Sequence, residues 1–310
     1  MSVYYYRDLS SYLTETFGEK LYKLSFDGGF TCPNRDGTIN TRGCIFCAGG
    51  SGDFAEPVRA AGETPDGYAA AMSLSVDRAK RHVSAKAACD RYIFYFQNFT
   101  GTYGNIDNLR LLYTAAVSHP QCAVLSIATR PDCLPDEALA LLSELNKVKP
   151  VWIELGLQTT NENTADYIRR GYPLSVFDEA MQKLNALHIP VIVHQILGLP
   201  GETKEDMVET SRYIGQSGAF GIKLQLLHIL AGTDLAEAFK NGLFQTLSLE
   251  EYIDILVSCV KALPENMVIH RLTGDGDKRL LLAPLWSADK KRVLGAIQKR
   301  LLPRKNSLRV

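Results

Sequence analysis

Short apolar stretches rich in β-branched and aromatic residues recur along the chain, separated by segments long enough to form helices. Six of these stretches predict β-strands, over residues 23–26, 92–96, 123–129, 151–157, 191–197 and 222–230. Amphipathic segments between them predict helices, over residues 107–117, 135–148, 175–187 and 203–218. Strands that alternate with helices pair in parallel through right-handed crossovers. The pattern therefore predicts an α/β fold, either an open doubly wound sheet or a full or partial α/β barrel.

Polar residues interrupt several of these apolar strands on one face. Glu154 and Gln158 share a side of their strand, Lys223 and Gln225 share a side of theirs, and His194 lies in the middle of a third. A buried polar group is costly unless it has a partner. These residues are either satisfied polar groups of the core or the lining of a barrel lumen that opens onto a ligand. Their recurrence on several strands favours the lumen.

Residues 27–65 show little periodicity and contain three of the seven cysteines. A loop of this length inside a compact domain is usually functional, and in an α/β barrel the loops after the strands form the active face. The stretch TCPNRDGTINTRGCIFC places Cys32, Cys44 and Cys47 in a C-x11-C-x2-C spacing. Cys89, Cys122, Cys133 and Cys259 show no such spacing, and we expect them to be packing residues.

The three thiols of this loop could belong to a zinc site, a redox-active pair or an iron–sulfur cluster. A structural zinc site takes four closed ligands, and the first histidine of the chain is His82, well outside the loop. A redox-active C-x-x-C would use Cys44 and Cys47 but leave Cys32 without a role. Iron–sulfur clusters are held by thiolates, and three of them on a [4Fe-4S] cube leave one iron open. The spacing favours such a cluster over zinc.

Composition and charge indicate which partners and which cellular setting the protein has. The 310 residues include 46% hydrophobic residues and equal numbers of basic and acidic side chains, 34 of each, so net charge points to no partner. Residues 278–310 nevertheless carry ten Lys or Arg and one acidic residue, Asp289. No apolar stretch is long enough to span a membrane, the N-terminus has no signal-type apolar run, and the odd number of cysteines is typical of a reducing setting. We therefore expect a cytoplasmic protein.

Several motifs resemble those of the radical S-adenosylmethionine (SAM) enzymes, over roughly residues 21–244. The C-x-x-C has Phe46 before its last cysteine, and its wide first gap resembles the Elp3-type branch, whose members modify tRNA. TRPD at 129–132, ELGLQT at 154–159 and LGLPGET at 197–203 resemble that branch in order and context. NRDG, YFQNFT, ELGLQTTN and RLTGDG resemble a small bacterial family that is related to Elp3 but lacks its acetyltransferase domain.

The resemblance implies a fold and two cofactors. The fold is a partial (βα)6 barrel over residues 1–245, with a cluster loop at about 27–65, followed by a C-terminal extension over residues 246–310. The cofactors are a [4Fe-4S] cluster held by Cys32, Cys44 and Cys47, and SAM, whose amino and carboxylate groups bind the open iron. Reduction, by a donor such as flavodoxin or ferredoxin, then yields a 5′-deoxyadenosyl radical that abstracts a hydrogen atom from the substrate.

The resemblance also implies a set of SAM contacts. Gln97, in a turn that runs to Thr100, matches the position that holds the amino group, although the usual Gly-Gly-Glu is absent here. Arg130 and Arg170 are candidates for the carboxylate, with Arg169 as a rival to Arg170. The remaining expected contacts are Gln158 facing SAM, His194 near the ribose, and Gly198 and Gly201 allowing the backbone to approach the adenine.

The resemblance says less about which residues contact the substrate and what the substrate is. Glu154, Lys223, Gln225 and His228 are candidates for the lumen lining and for a general acid or base, and the alternative of satisfied core residues stays open for each. The near relatives suggest a tRNA wobble uridine as substrate, with conversion of a carboxymethylaminomethyl group to aminomethyl. A protein or small-molecule substrate is the alternative, and a non-catalytic zinc protein is a further one.

The C-terminal extension suggests how RNA would be held. Residues 288–301 predict a helix with Ser287 as its N-cap, an apolar stripe and a basic opposite face. The basic face, together with residues 303–310, either contacts RNA phosphates or is simply the solvated side of a docked helix.

Overall fold

A computed structural model gives the structure of the protein and describes residues 6–49, 55–83, 89–274 and 276–302. Nine strands form one sheet in the order β1-β10-β8-β7-β6-β5-β4-β2-β3, and every neighbouring pair is parallel. Its strands are β1 Arg7–Asp8, β2 Tyr22–Asp27, β3 Glu56–Pro57, β4 Tyr92–Phe96, β5 Cys122–Thr129, β6 Val151–Gln158, β7 Val191–Leu197, β8 Gly221–Leu226 and β10 Val268–Arg271. The sheet curls into an open half-barrel, which confirms the predicted fold class.

Helices accompany the sheet, and most of them pack on its outer, convex side. They are α1 Leu9–Phe17, α2 Pro65–Val83, α3 Ile106–Ser118, α4 Asp136–Asn146, α5 Glu162–Tyr167, α6 Leu174–Ala186, α7 Lys204–Gln216, α8 Asp234–Lys240, α9 Leu249–Lys261 and α10 Lys290–Leu301. A short antiparallel pair, β9 Ile229–Leu230 with β11 Leu281–Ala283, lies beside the sheet. Within the described ranges, no helix is both long and apolar enough to cross a membrane.

Two apolar layers fix the half-barrel. The outward strand residues and the helices form the main core, which includes the packed rings of Phe26, Phe94 and Phe96. A second cluster closes the amino-terminal end of the lumen, the space that the inner face of the sheet encloses. There the Trp152 ring packs against Phe220, with ring centroids 5.6 Å apart, and Tyr12 from α1 covers both. Ligands can therefore approach from the carboxyl ends of the strands.

All six predicted strands are present, and the last one breaks after Leu226 into β8 and β9. Thr203 caps α7 as a capping box with Asp206, in agreement with a helix beginning there. Ser287 as N-cap of the basic helix is wrong. Asp289 is the cap, because its carboxylate accepts from the Arg292 backbone N–H at 3.1 Å. Ser287 instead lies in a 3-10 turn and donates its hydroxyl to the Pro284 carbonyl.

Candidate active site

A cavity of about 660 Å³ opens at the carboxyl ends of the strands, within the size range of ligand sites. Of the site residues expected from sequence, those that border it are Cys32, Cys44, Cys47, Gln97, Thr100, Arg130, Glu154, Gln158, His194, Lys223, Gln225 and His228. Arg170, Gly198 and Gly201 lie outside it. The cavity therefore connects the three thiols of the loop with the polar residues of the lumen.

The loop that carries the thiols is tied to the turn after α5. Asn34 donates its side-chain amide to the Arg169 carbonyl at 2.7 Å and to the Cys44 sulfur at 3.5 Å. The Ile45 backbone N–H bonds the Ile168 carbonyl, and the Arg35 guanidinium bonds the Cys47 carbonyl at 2.6 Å. These bonds fix both ends of the C-x-x-C against the barrel.

The three thiols are free and half-buried, and they face one cavity. In the part of the chain that the structure describes, no group of three or more His, Cys, Asp or Glu side chains converges as a site for a single metal ion. The closed four-ligand set that a structural zinc site needs is thus not formed by these residues. Three thiols around a wide cavity are the donor set that a larger iron–sulfur cluster takes.

Two orphaned polar atoms mark where a polar ligand fits beside the thiols. Thr100 Oγ1 and Gln158 Oε1 are buried without a hydrogen-bond partner, and both residues border the cavity. Unsatisfied buried polar atoms are rare in native proteins. Gln158 also has a φ of 71°, a left-handed conformation that costs a non-glycine residue on the order of 1–3 kcal/mol. Both features fit a ligand with amino and hydroxyl donors, as SAM has.

The two arginines expected at the SAM carboxylate have different environments. Arg130 borders the cavity near Cys32 and Cys44, makes a two-point ion pair with Asp132 at 2.7 and 2.9 Å, and lies over the Tyr172 ring. The buried Arg170 uses its three kinds of nitrogen on protein groups, donating to the carbonyls of Thr159 and Tyr172 and to Glu162. Arg170 therefore braces the turn that supports the loop, and the structure does not bring it to the cavity.

Arg169, Gly198 and Gly201 lie in turns and have positive φ values. Arg169 has a φ of 58° and pairs with Asp234. Gly198 and Gly201 have φ values of 90° and 85° in the connection between β7 and α7, a region that glycine enters at little cost. Contact between these glycines and adenine remains a prediction.

A network of charged and polar side chains fills the lumen below the thiols. Glu154 is fully buried, and its Oε1 accepts from Lys23 Nζ at 2.7 Å and from Ser126 Oγ at 2.9 Å. Its Oε2 accepts from His194 Nε2 at 2.8 Å and from Lys223 Nζ. Lys223 also donates to the Tyr95 hydroxyl at 3.1 Å. We call these residues the lumen cluster: Lys23, Tyr95, Ser126, Glu154, His194 and Lys223.

Electrostatics fix the charge states of two members of the cluster. Burial alone raises the pKa of Glu154, but the ammonium groups of Lys223 and Lys23 and the His194 bond outweigh it and hold that pKa well below its usual range. Burial and the nearby Lys223 charge lower the pKa of His194 to about 4. Glu154 is therefore an anion and His194 a neutral imidazole near pH 7, with its Nε2–H bonded to Glu154.

Lys23, Tyr95 and Ser126 were not singled out from the sequence. The lumen cluster takes one side chain from each of six strands, β2, β4, β5, β6, β7 and β8. It forms only when all six strands are in place. A signal was present, because Lys23 and Tyr95 are polar residues inside apolar strands, like Glu154. Which face of each strand points inward became clear only from the curled sheet.

The wall of the cavity above Lys223 is built by β8 and the loop after β10. Gln225 and His228 follow Lys223 along the chain, and Arg271 at the end of β10 borders the same cavity. Gly274 and Gly276 pack on the His228 ring so closely that an added Cβ would lie 2.8 and 3.1 Å from it. Gly274 and Gly276 thus confine the His228 ring, which borders the cavity.

Comparison with known proteins identifies the family to which this arrangement belongs. The sequence profile of the radical SAM superfamily matches residues 37–214, and that of the radical SAM C-terminal domain matches residues 219–302. The Bacillus subtilis protein YtqA is 40% identical over 297 residues, covering 96% of this chain and 89% of YtqA. Escherichia coli YhcC is 37% identical over 275 residues, covering 88% of this chain and 85% of YhcC.

More distant relatives are Elp3-like proteins. A tRNA uridine(34) acetyltransferase from Methanocaldococcus jannaschii is 25% identical over 158 residues, covering 50% of this chain and 29% of that protein. The solved structure of Methanocaldococcus infernus Elp3 superposes with a TM-score of 0.62 at 18% identity, covering 76% of this chain and 60% of that one. The chain therefore spans less than two thirds of the Elp3 proteins, and the likeness to the solved structure concerns the fold.

Proposed function

The chain belongs to the radical SAM superfamily, whose members bind a [4Fe-4S] cluster and S-adenosylmethionine, and from this premise we propose that it is an enzyme that modifies the wobble uridine of tRNA. The proposed change converts a carboxymethylaminomethyl side chain on the base to an aminomethyl side chain by cleaving the bond between its nitrogen and the carboxymethyl carbon. One hydrogen atom of that carbon would pass to the 5′-deoxyadenosyl radical and one electron to an external acceptor, and water would release the two-carbon fragment as glyoxylate. The observation that carries the proposal is the continuous cavity from the three thiols to the lumen cluster. Similarity to a tRNA uridine(34) acetyltransferase supports a wobble uridine as the target.

The residues at the thiol end of the cavity would hold the cofactors. Cys32, Cys44 and Cys47 would ligate the cluster, and the open acceptors of Thr100 and Gln158 would bind donor groups of SAM. Arg130 carries a guanidinium that borders the cavity beside the thiols, and it would bind the SAM carboxylate. Gln97 and His194 border the same space and would orient the remaining polar groups of SAM. When bound, the cofactors supply a 5′-deoxyadenosyl radical that abstracts a hydrogen atom from the substrate.

The substrate base would enter from the mouth of the half-barrel. A wobble uridine lies in a single-stranded loop, so turning it into the cavity costs a few kcal/mol or less. The exposed residues Lys290, Lys291 and Arg292 at the start of α10 would contact phosphates, which positions RNA without reading its bases. The predicted contribution of residues 303–310 lies outside the described residues. A flavodoxin or ferredoxin is the electron donor that we expect.

A comparison of tRNA nucleosides tests this proposal. Total tRNA is isolated from the host with the gene, without it, and with the deletion complemented by wild type or by the Cys32→Ala variant. Loss of the gene should raise carboxymethylaminomethyluridine and lower the aminomethyl form and its derivatives, and only the wild type should restore them. Identical nucleoside profiles in all four strains would reject tRNA as the substrate.

A further inference from the structure

We propose that Lys223 binds the carboxylate of the substrate side chain, and that Glu154 positions Lys223 instead of exchanging a proton with the substrate. The inference rests on the proposed function, because it concerns the carboxymethyl group of that substrate. Sequence reasoning left Glu154, Lys223, Gln225 and His228 as equal candidates. The bonds of the lumen cluster separate their roles.

Glu154 has no capacity left for a substrate. Each of its two oxygens accepts two hydrogen bonds, from Lys23 and Ser126 on one and from His194 and Lys223 on the other. A carboxylate has about four lone-pair sites in all. Its side chain is also fully buried. Glu154 is therefore the anchor of the cluster, and a substrate group cannot reach its oxygens without breaking this network.

Lys223 has one donor left, at the cavity. An ammonium group carries three N–H donors. Two of those of Lys223 go to Glu154 and to the Tyr95 hydroxyl, and the nitrogen lies 4.4 Å from the centroid of the Tyr95 ring. Lys223 borders the cavity, whereas Lys23 is bonded to the same carboxylate but does not border it. The geometry thus presents one oriented donor from Lys223 to a ligand.

The charges around this donor favour an anion. Arg271 adds a second cation to the same wall of the cavity. The two carboxylates that border the cavity among the described residues already hold cations, Glu154 the two lysines and Asp277 the Arg279 guanidinium at 2.7 Å. Burial disfavours the ammonium form of Lys223 and the Glu154 carboxylate favours it, and an incoming carboxylate would add to the effect of Glu154.

Two carboxylates could in principle reach this donor, that of SAM and that of the substrate. Arg130 lies beside the thiols, where SAM would bind, and its charge acts on Cys32 and Cys44. Lys223 lies on β8, three strands away in the sheet from β5, which Arg130 follows. The position of Lys223 therefore favours the substrate carboxylate.

The test measures binding and not turnover. Anticodon stem-loops with carboxymethylaminomethyluridine, aminomethyluridine or unmodified uridine at the wobble position are titrated into anaerobic, cluster-loaded protein with SAM present. The variants are Lys223→Met, Glu154→Gln and the matched control Lys23→Met, which removes an ammonium from Glu154 without removing a donor from the cavity. The Lys223→Met/Glu154→Gln double variant serves if the single Lys223 variant does not fold, because it removes both charges of the buried pair and leaves only Lys23, whose side chain is partly exposed, without its carboxylate.

Wild type should bind the carboxylate-bearing stem-loop about tenfold or more tightly than the aminomethyl one, as expected for a bond between charged groups. Lys223→Met and the double variant should lose this preference, Glu154→Gln should weaken it because Lys223 loses its anchor, and Lys23→Met should keep it. SAM affinity should be the same in Lys223→Met as in wild type.

Four results would overturn the inference. A carboxylate preference that survives in Lys223→Met, or no preference in wild type that binds all three stem-loops, rejects Lys223 as the receptor and leaves the proposed function intact. Loss of SAM binding in Lys223→Met with the RNA preference unchanged assigns the donor to SAM. Failure of wild type to bind any stem-loop rejects the tRNA substrate, and the inference with it.

Discussion

At the scale of single residues, the site is defined by which hydrogen-bonding groups are already used and which remain open. Arg170 has committed its guanidinium to two carbonyls and Glu162, and Glu154 has filled its oxygens, so both act on the protein itself. Thr100 and Gln158 keep a buried acceptor without a partner. Residue type alone did not separate these cases, because arginine and glutamate are equally typical of ligand contacts and of buried braces.

Replacing any of Cys32, Cys44 or Cys47 by Ala should abolish the iron–sulfur absorbance and the iron content of anaerobically purified protein. The three thiolates share the cluster, and each loss leaves a second iron without a protein ligand. Stability of the apoprotein should change by less than about 1 kcal/mol, because the thiols are half-buried and outside the main core. The matched control is Cys89→Ala, which should keep its iron. Full iron content in Cys32→Ala would contradict the assignment of that ligand.

Replacing Arg170 by Met should lower the free energy of unfolding by about 3 kcal/mol, because two carbonyls and a carboxylate lose their donor. Urea denaturation of the apoprotein measures this. The SAM affinity of the folded fraction should stay within a factor of a few of wild type, whereas Arg130→Met should weaken it about tenfold. Unchanged stability with a tenfold loss of SAM affinity in Arg170→Met would reinstate the contact expected from sequence.

At the scale of elements, most of the sheet was predictable and its short pieces were not. Strands β4 and β7 begin and end where the apolar runs do, because both faces of these parallel strands are buried. The two-residue strands β1 and β3 are too short to show any period. Serine is a typical N-cap, and the sequence therefore suggests Ser175 as the cap of α6; this is wrong, because the helix begins at Leu174 after Pro173, two residues earlier than a Ser175 cap would allow.

The turn between β7 and α7 carries a titration that stability measurements can detect. Burial raises the pKa of Glu202 to about 7, although the hydrogen bond from the Thr159 hydroxyl acts in the opposite direction. The folded protein therefore holds this proton more tightly than the unfolded chain does. The resulting stabilisation is fully present below the unfolded pKa and is lost as the pH rises through about 7.

Glu202→Gln should remove this dependence, because glutamine stays neutral at every pH. Unfolding free energies of wild type and variant are compared from about pH 5 to about pH 8, so that all other titrations cancel. As the pH rises across this range, the unfolding free energy of the variant minus that of wild type should increase by on the order of 1–2 kcal/mol, after allowance for the partial exposure of Glu202. A difference that does not change with pH would contradict a raised pKa at Glu202.

Helix α10 has an arrangement that helix stability does not explain. Lys290, Lys291 and Arg292 are exposed in its first turn, where the helix dipole disfavours cations. Val293, Ile297 and Leu301 on the other side are buried. The basic turn is the surface that the proposed RNA substrate would contact.

Changing Lys290, Lys291 and Arg292 together to Glu should not unfold the helix, because acidic residues are favoured in a first turn. The variant should bind anticodon-bearing tRNA more weakly and with a flatter salt dependence, each lost phosphate contact removing somewhat under one unit of the log–log slope. Filter binding at several salt concentrations measures both. Coincident slopes and equal affinity would show that this helix is not the RNA platform.

At the scale of the whole molecule, the curled sheet brings together residues that are far apart in the chain. The lumen cluster draws one side chain from each of six strands, and Lys23 and Lys223 meet on the same carboxylate. The sequence indicated polar faces on individual strands and three thiols in a loop, and both border the cavity. The order of the strands and the closure of the sheet decide which side chains converge, and these follow from long-range packing that local patterns do not encode.

The most direct test of the central claim uses purified, cluster-loaded protein with SAM, a reductant and tRNA from a strain that lacks the gene. The nucleosides of the tRNA are measured before and after incubation, with Cys32→Ala as the control. We predict that carboxymethylaminomethyluridine decreases and aminomethyluridine increases by the same amount with wild type, and that neither changes with Cys32→Ala. Cleavage of SAM by wild type with an unchanged nucleoside composition would contradict the account.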